Sequence, residues 1–424
     1  MKYTKGSEWR KWDLHVHTPY SYLNTQFGNN FEDYVKSLFK KAIEKNIYAI
    51  GITDYFCIEG YKELRGEYLQ NYKSFEKLGF TKEDLKKIEQ FLILPNIEFR
   101  LNKLVGSSRI NFHIIFADDV KIADIEENFL REIKILYEGG PQNEDEKRAL
   151  TLRNLEELGK KLKKEHEKFR KKTDIEIGMM NAVVDDTEIM QILSNKKSIF
   201  EGKYLIFIPV DEDLSKISWD SQDHNVRKIL IQKCDGFFSS NKGTIEFGLG
   251  RKHSSEADFL KEFKTFKPCV YGSDAHSSDE LFEPKNKKYT WIKADPTFEG
   301  LKQITYEPSD RIFIGEEVEL LKRINDNKTK FIKTLRINQV EGYDESKGIW
   351  FKDIEIPFNP GLVAIIGNKG NGKSAITDIL GLLGNSHNYS DFSFLRKDRF
   401  LKNNLAKNFE AELILESGEC VKKI

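Results

Sequence analysis

The chain has 424 residues, 39% hydrophobic and 32% charged, with 68 basic and 68 acidic side chains. That length accommodates about two or three domains. The apolar share excludes a disordered chain, and the balanced charge excludes a generally basic nucleic-acid coat, though not a local patch. Cys57, Cys234, Cys269 and Cys420 form no CxxC pair, which argues against a disulfide framework or a zinc knuckle and fits a reducing cytoplasm. Residues 1–12 lack the apolar core of a secretory signal. No apolar run approaches the roughly 18 residues of a membrane span, so a cytoplasmic protein with no membrane partner is expected.

In chain order, Trp12–Val16 reads as a short strand. Phe31–Glu44 reads as a helix with Phe31, Tyr34, Val35, Leu38, Phe39, Ala42 and Ile43 on one face. Tyr48–Thr53 is a β-branched strand ending at Asp54, and a polar helical stretch runs to about Gln90. Phe91–Ile97, ending at Glu98, and Asn111–Ala117, carrying His113, are further strands. This β-α-β-α rhythm predicts a barrel or layered α/β domain. Residues 119–200 read as a solvated helical insertion. Its charge-dense part, Asn143–Lys172, has leucines at 150, 152, 155, 158 and 162, and its alternating Lys and Glu read as a salt-bridged face. The strand pattern resumes at Tyr204–Pro209, Gly236–Ser239 and Cys269–Gly272. A partly helical connector, Gly315–Lys333, follows. Leu335–Val340, Ile349–Ile356 and Gly361–Ile366 then read as short strands, the last entering a glycine-rich loop and a helix, Ser374–Leu383. Ala411–Leu415 is a further strand.

Two i, i+2 pairs carry the chemistry. In Asp13-Leu14-His15-Val16-His17-Thr18, strand geometry turns His15 and His17 to one face. Gly272-Ser273-Asp274-Ala275-His276 repeats the device with Asp274 and His276. One HxH is more often structural. Two such pairs, with Asp54, Glu98 and His113 also at or near predicted strand ends, point to a divalent Zn, Mn or Fe ion.

These residues resemble the motifs of PHP domains, the polymerase-and-histidinol-phosphatase superfamily. Asp13–Thr18 is similar to the first motif, Ile52-Thr53-Asp54 to the second, Leu94-Pro95-Asn96-Ile97-Glu98 to the third and Gly272–His276 to the last. The resemblance covers roughly residues 10–312. It implies a distorted (β/α)7 barrel with metals at the strand C-termini and metal-dependent phosphoester hydrolysis. It further implies one metal site of His15, His17, Glu98 and Asp274, a second where Glu98 bridges to His113, and a third position with His276. Asp54, Tyr55 and His276 become the catalytic candidates. The chain departs from the pattern at Tyr55, where a histidine is usual, at Ser21 and Tyr22, where a third first-motif histidine is usual, and at Pro209-Val210, where many members carry His-Pro. Tyr55 is open between phenolate ligand, hydrogen-bond donor and packing residue. His166, His224, His253 and His387 fall in polar segments and read as non-ligands.

Gly367-Asn368-Lys369-Gly370-Asn371-Gly372-Lys373-Ser374 satisfies G-x-x-x-x-G-K-[ST] between a predicted strand and a predicted helix. Its glycines let backbone N–H groups face phosphates, Lys373 reaches the β/γ oxygens, and Ser374 suits Mg²⁺. Phe351–Ile356 and Pro360–Gly367 resemble the start of an ABC/SMC-type ATPase head. The order of the whole chain is similar to TrlF-type PHP–AAA-like ATPases, with Thr290–Glu299 and Ile304–Pro308 resembling their joining stretch. This implies Mg-ATP at the loop and action on nucleic acid, in repair or anti-phage defence. No Walker B pattern follows, so ATP hydrolysis by this chain alone is not expected. A homodimer through the head, or a second polypeptide, would complete it. Arg396, Lys397 and Arg399, with Lys402, Lys407, Phe394, Phe400 and Phe409, form a candidate nucleic-acid patch, weighed against a plain solvated face. The expected division is 1–312 for the barrel, with its insertion at about 119–200, 313–333 for the connector and 334–424 for the partial P-loop domain. Competing functional readings are a small-molecule phosphatase of the histidinol-phosphatase type and a catalytically degenerate binding module.

Overall fold

The computed structural model describes residues 4–105, 108–140, 143–210, 224–348 and 350–423. They form two compact units. One spans Trp9–Glu316; the other joins the residues up to Glu8 to Glu317–Ile424.

The first unit has eleven strands among its described residues: β1 (Trp9–His17), β2 (Ile47–Tyr55), β3 (Leu92–Val105), β4 (Ser108–Phe116), β5 (Lys134–Gly140), β6 (Asn143–Ala149), β7 (Tyr204–Pro209), β8 (Gly236–Phe238), β9 (Cys269–Val270), β10 (Tyr289–Lys293) and β11 (Ile312–Gly315). Nine form one sheet in the order β11-β10-β1-β2-β3-β4-β7-β8-β9. The sheet curls until its edge strands β9 and β11 approach each other, giving a nearly closed, barrel-like α/β fold. It is therefore larger than the seven-stranded sheet expected. It is also mixed: β1-β2-β3 and β7-β8-β9 run parallel, whereas β3-β4, β4-β7, β1-β10 and β10-β11 are antiparallel. β2 and β7 are buried along almost their whole length, as strands covered on both faces are.

The helix Phe31–Lys45 covers one side. Asn30 caps it by accepting from the Glu32 N–H, and Asn46, in the left-handed region, ends it. Its buried residues Phe31, Tyr34, Val35, Leu38, Phe39 and Ala42 are those the 3.6-residue period selects.

The insertion is not wholly helical. β5 and β6 pair as an antiparallel hairpin, and only Leu152–Glu165 of the charge-dense stretch is a long helix. The strand is held by packing that charge patterning does not report. Arg148 of β6 sits 3.4 Å over the Tyr137 ring of β5 and pairs with Glu157 of the helix at 2.8 Å.

In the second unit β12 (Ile332–Gln339), β13 (Ile354–Pro357), β14 (Phe409–Leu415) and β15 (Cys420–Lys423) form an antiparallel sheet in the order β13-β12-β14-β15. The helix Lys373–Leu383 buries Ile379 and Leu383 with Leu335, Ile337 and Leu413 of the sheet. The strand expected at Gly361–Ile366 does not form. Leu362 is 98% exposed and Ile366 89%. Without a paired neighbour the segment leaves Leu362 and Ile366 in water. The connector contributes the helix Glu319–Asp326 to this unit. Among the described residues no helix is long and apolar enough to cross a membrane, and all four cysteines are free.

Candidate functional site

The site lies at one rim of the barrel-like sheet, where strand register assembles it. β2 ends at Tyr55, opposite Glu98 of β3, and Glu98 is opposite His113 of β4. β1 ends at His17; its pairing with β2 is irregular between Asp13 and Val16, and Leu14 and Val16 pack into separate apolar clusters while His15 and His17 meet at the site. The loop after β9 runs beside β1. Asp274 N donates to His15 O at 3.0 Å, and His17 N donates to Ala275 O at 3.1 Å. These bonds place Asp274 and His276 against the β1 histidines. Asp274 has a φ of 51°, a left-handed conformation that a short polar side chain tolerates.

Five donor atoms converge there. His15 Nε2 lies 3.0 Å from His17 Nε2. Glu98 Oε2 is 3.2 Å from His15 Nε2 and 3.3 Å from His17 Nε2. Asp274 Oδ1 is 3.2 Å from His15 Nε2, 3.4 Å from His17 Nε2 and 3.4 Å from His276 Nε2. Bonds of about 2.0–2.1 Å to a tetrahedral ion place neighbouring donors roughly 3.3–3.4 Å apart. The spacing and the imidazole-carboxylate chemistry therefore fit a divalent transition metal. Two overlapping groups have this geometry, His15-His17-Glu98 and His17-Asp274-His276. His113 Nε2 stands farther off, 3.9 Å from Glu98 Oε2.

His15, Glu98, His113, Asp274 and His276 line a cavity of about 660 Å³, whose wall also includes Tyr55, Asn111, Pro209, Phe238, Tyr271 and Lys285, with His17 buried behind them. Mutual electrostatics set the protonation states. Burial disfavours a charged His17, but hydrogen bonds to Asp274 and Glu98 prevail and raise its pKa to about 9. Burial likewise works against the Glu98 carboxylate. The bonds from His15 and His17, with the charge of His15, outweigh it and hold Glu98 well below the usual carboxylate range. Asp274 is depressed in the same way, chiefly by His15, His17 and His276 acting against burial. For His113 burial wins, and its pKa falls to about 3. It is a neutral imidazole.

The structure thus brings His15, His17, Glu98, Asp274 and His276 into one cluster. His276 Nε2 shares the Asp274 carboxylate and falls in the second of the two overlapping groups, with His17. Glu98 and His113 are not at strand ends. They face each other in the middle of the long β3–β4 hairpin, whose pairing continues to Val105 and Ser108. Asp54 is buried away from the donors. It accepts from Thr18 Oγ1 at 2.7 Å, Ser21 Oγ at 2.8 Å and Gly60 N at 2.9 Å, and burial raises its pKa to about 6 against those bonds. Asp54 thus braces Ser21 and does not line the cavity. The Tyr55 ring packs 4.7 Å from the His17 ring and also lines the cavity. The sequence reading gave no role to Asp13, which binds the last motif by accepting from Ser273 N at 3.0 Å, nor to Asn96, which donates to Leu14 O at 2.9 Å. Both polar side chains sit within the quoted motifs, the one signal that could have singled them out. His253 packs among Phe247, Phe259 and Phe263 and meets Glu262 at 3.3 Å, a structural role.

In the second unit, Gly367–Ser374 is a loop running into the helix Lys373–Leu383. Gly370 and Gly372 have φ of 92° and 81°, a region glycine enters freely. Lys373 Nζ folds back onto Gly367 O at 2.7 Å and Asn368 O at 2.9 Å. Asn368, Lys369 and Asn371 are exposed with the glycines. The basic patch is less suited to stacking bases than its composition implied. Phe394 and Phe400 stack on each other at 4.5 Å, and Phe400 packs on Phe409 at 5.4 Å, turned inward as core. Arg396 is paired with Asp398, and Arg399 donates to Ser393 O. Lys397 is exposed.

No family model matches the chain, and no curated protein does. Among solved structures, the chain is similar to a two-domain protein from Bacteroides vulgatus containing a predicted PHP-like metal-dependent phosphoesterase. The identity is 12%, over 80% of this chain and 74% of that one, with a TM-score of 0.35. It is also similar to the lesion-specific endonuclease PfuEndoQ from Pyrococcus furiosus, at 14% identity over 72% of this chain and 58% of that one, with a TM-score of 0.37. Likenesses of this depth carry no argument about activity.

Proposed function

We propose that the chain is a metal-dependent phosphoesterase of the PHP type that acts on nucleic acid and carries a nucleotide-binding element in its second unit. The observation that carries this reading is the two overlapping groups of three imidazoles and two carboxylates, with contacts of 3.0–3.4 Å, beside a cavity of about 660 Å³. His15, His17, Glu98, Asp274 and His276 would hold the first ion, and Glu98 with His113 a second. A divalent ion there supplies Lewis acidity toward phosphoryl oxygens and acidifies water near neutral pH.

The chain's own groups do the rest. Lys285 is the lysine of the cavity lining, against Glu98, Asp274, Glu280 and Glu283. These four carboxylates outnumber Lys285 and the protonated His17, so a bound metal would favour entry of a phosphate. Tyr55 and Tyr271 line the same cavity, where they would contact whatever the phosphate carries. Support for nucleic acid over a small phosphomonoester comes from the motif order along the chain. The test is a comparison of single- and double-stranded oligonucleotides with a panel of phosphomonoesters, with Mn²⁺ or Zn²⁺ present. Cleavage of oligonucleotides is the expected result; turnover of monoesters alone would move the reading to a small-molecule phosphatase, and no turnover of either would leave a binding module.

For the second unit, Gly372 caps its helix without a side chain, so the helix N-terminus keeps N–H groups for a phosphate. Mg-ATP is the nucleotide this suits, with Lys373 turning from its own loop to the β/γ-phosphates and Ser374 toward Mg²⁺. The bare Leu362 and Ile366 support completion of this head by a second copy of the chain or another polypeptide. Uncompleted, the head should gain less than about 1 kcal/mol from millimolar Mg-ATP. Thermal melts of the wild-type chain and Lys373→Ala decide this. A large ATP-dependent rise, lost in the variant, would show a head that is already whole.

A further inference from the structure

We infer that Ser21 and Asn96 are positioning residues that hold His17 and His113 in the same tautomer, with the proton on Nδ1 and a bare Nε2 turned toward Glu98 for a divalent cation. The inference rests on the metal reading of the site but not on hydrolysis.

The hydrogen-bond inventory leaves one arrangement on each side. Ser21 Oγ lies 2.7 Å from His17 Nδ1, 2.8 Å from Asp54 Oδ1 and 3.2 Å from Thr53 O. A carboxylate and a carbonyl accept only, so the single hydroxyl proton of Ser21 goes to one of them. What Ser21 offers His17 is a lone pair, and His17 Nδ1 must bring the hydrogen. Asp54 is itself fixed by Thr18 Oγ1 and Gly60 N, so the chain Asp54–Ser21–His17 is anchored at its far end.

Asn96 works by the same logic from the next strand. Its Nδ2 donates to Leu14 O at 2.9 Å and to Thr53 Oγ1 at 3.0 Å, and Thr53 Oγ1 donates onward to Gly51 O at 3.2 Å. Both amide hydrogens are spent, which settles the amide orientation: the oxygen faces His113 Nδ1 at 3.3 Å. That oxygen only accepts, so His113 Nδ1 donates. Thr53 and Asp54 are successive residues of β2, so one strand end supports both imidazoles, one through the loop after β1 and the other through β3. Ser21 stands where the family pattern would put an additional histidine. Here that position orients a ligand.

Histidine-selective ¹⁵N labelling gives only eight imidazoles to assign. In Zn²⁺-loaded protein, long-range ¹H–¹⁵N spectra should show His17 and His113 protonated at Nδ1. Ser21→Ala should weaken Zn²⁺ binding by about 10–100-fold in a chelator competition and shift the His17 nitrogens while the His113 nitrogens stay in place. Asn96→Ala should do the reverse. Finding either histidine protonated at Nε2 in the wild type would overturn the proposal, as would an unchanged Zn²⁺ affinity in Ser21→Ala. The wild-type spectrum needs no variant to fold. A protein with this nitrogen pattern that cleaves no phosphoester would leave the positioning role standing while the functional reading falls.

Discussion

Metal uptake by the metal-free protein is expected to release protons, and the apparent affinity should climb about tenfold per pH unit until about pH 9. The cause is His17. Hydrogen bonds to Asp274 and Glu98 overcome burial and raise its pKa to about 9, so at neutral pH a metal must displace a proton from Nε2. The sign is opposite for the stability of the metal-free fold. A group raised above its unfolded value of 6.5 stabilises fully below about 6.5 and loses that contribution as pH rises through about 9. Metal-free protein should thus soften toward alkaline pH, where metal-loaded protein firms. Titration calorimetry in two buffers of different ionisation enthalpy, between pH 6 and 8.5, measures the protons directly. Zero net release across that range would contradict the cluster as described. Replacing His15 and His17 together by Ala removes two of five converging donors. The loss of affinity should exceed the roughly 10–100-fold typical of an outer hydrogen-bond partner, and all phosphoesterase activity should go with it. Full activity in that double variant would exclude a metal mechanism.

Gly51→Ala should destabilise the first unit by about 3 kcal/mol, at the upper end of what overpacking a buried position costs. Gly51 lies on β2, and a Cβ there would stand 2.2 Å from Leu14 O and 2.8 Å from Leu14 Cα. These are backbone atoms, which cannot swing aside as a side chain would. The pairing of β1 with β2 is irregular between Asp13 and Val16, and the Leu14 carbonyl occupies the space Gly51 leaves. Displacing it would also move His15, so metal affinity should fall along with the melting temperature. Gly66→Ala is the control: nothing lies within 4 Å of its added carbon, and its melt should shift by less than about 1 kcal/mol. Equal melting of the two variants would mean that β1 and β2 are not packed this closely.

Much of the first unit was legible from local pattern. The helix Phe31–Lys45 follows from its apolar spacing, and the i, i+2 pairs at 15/17 and 274/276 mark residues that do meet. Charge density misled at Asn143–Ala149, since alternating Glu and Lys suits a solvated helix and a solvated strand equally, and the Tyr137–Arg148 contact decided for the strand. Apolar composition misled at Gly361–Ile366. A β-branched run declares a capacity to pair, but pairing needs a neighbour, and the described part of the second unit supplies none.

The sequence by itself determined which side chains could ligate a metal, that His15 and His17 lie together, and that a glycine-rich loop precedes a helix. All of these are consequences of fixed backbone periods over a few residues. Only the tertiary structure decided that His276 stacks on His17, that Glu98 meets His113 in the middle of a hairpin, and that Asp54 supports a histidine through Ser21. Those relations join positions 33 residues apart at Ser21–Asp54 and 82 apart at Leu14–Asn96. Strand order and register set them, and no local period encodes either.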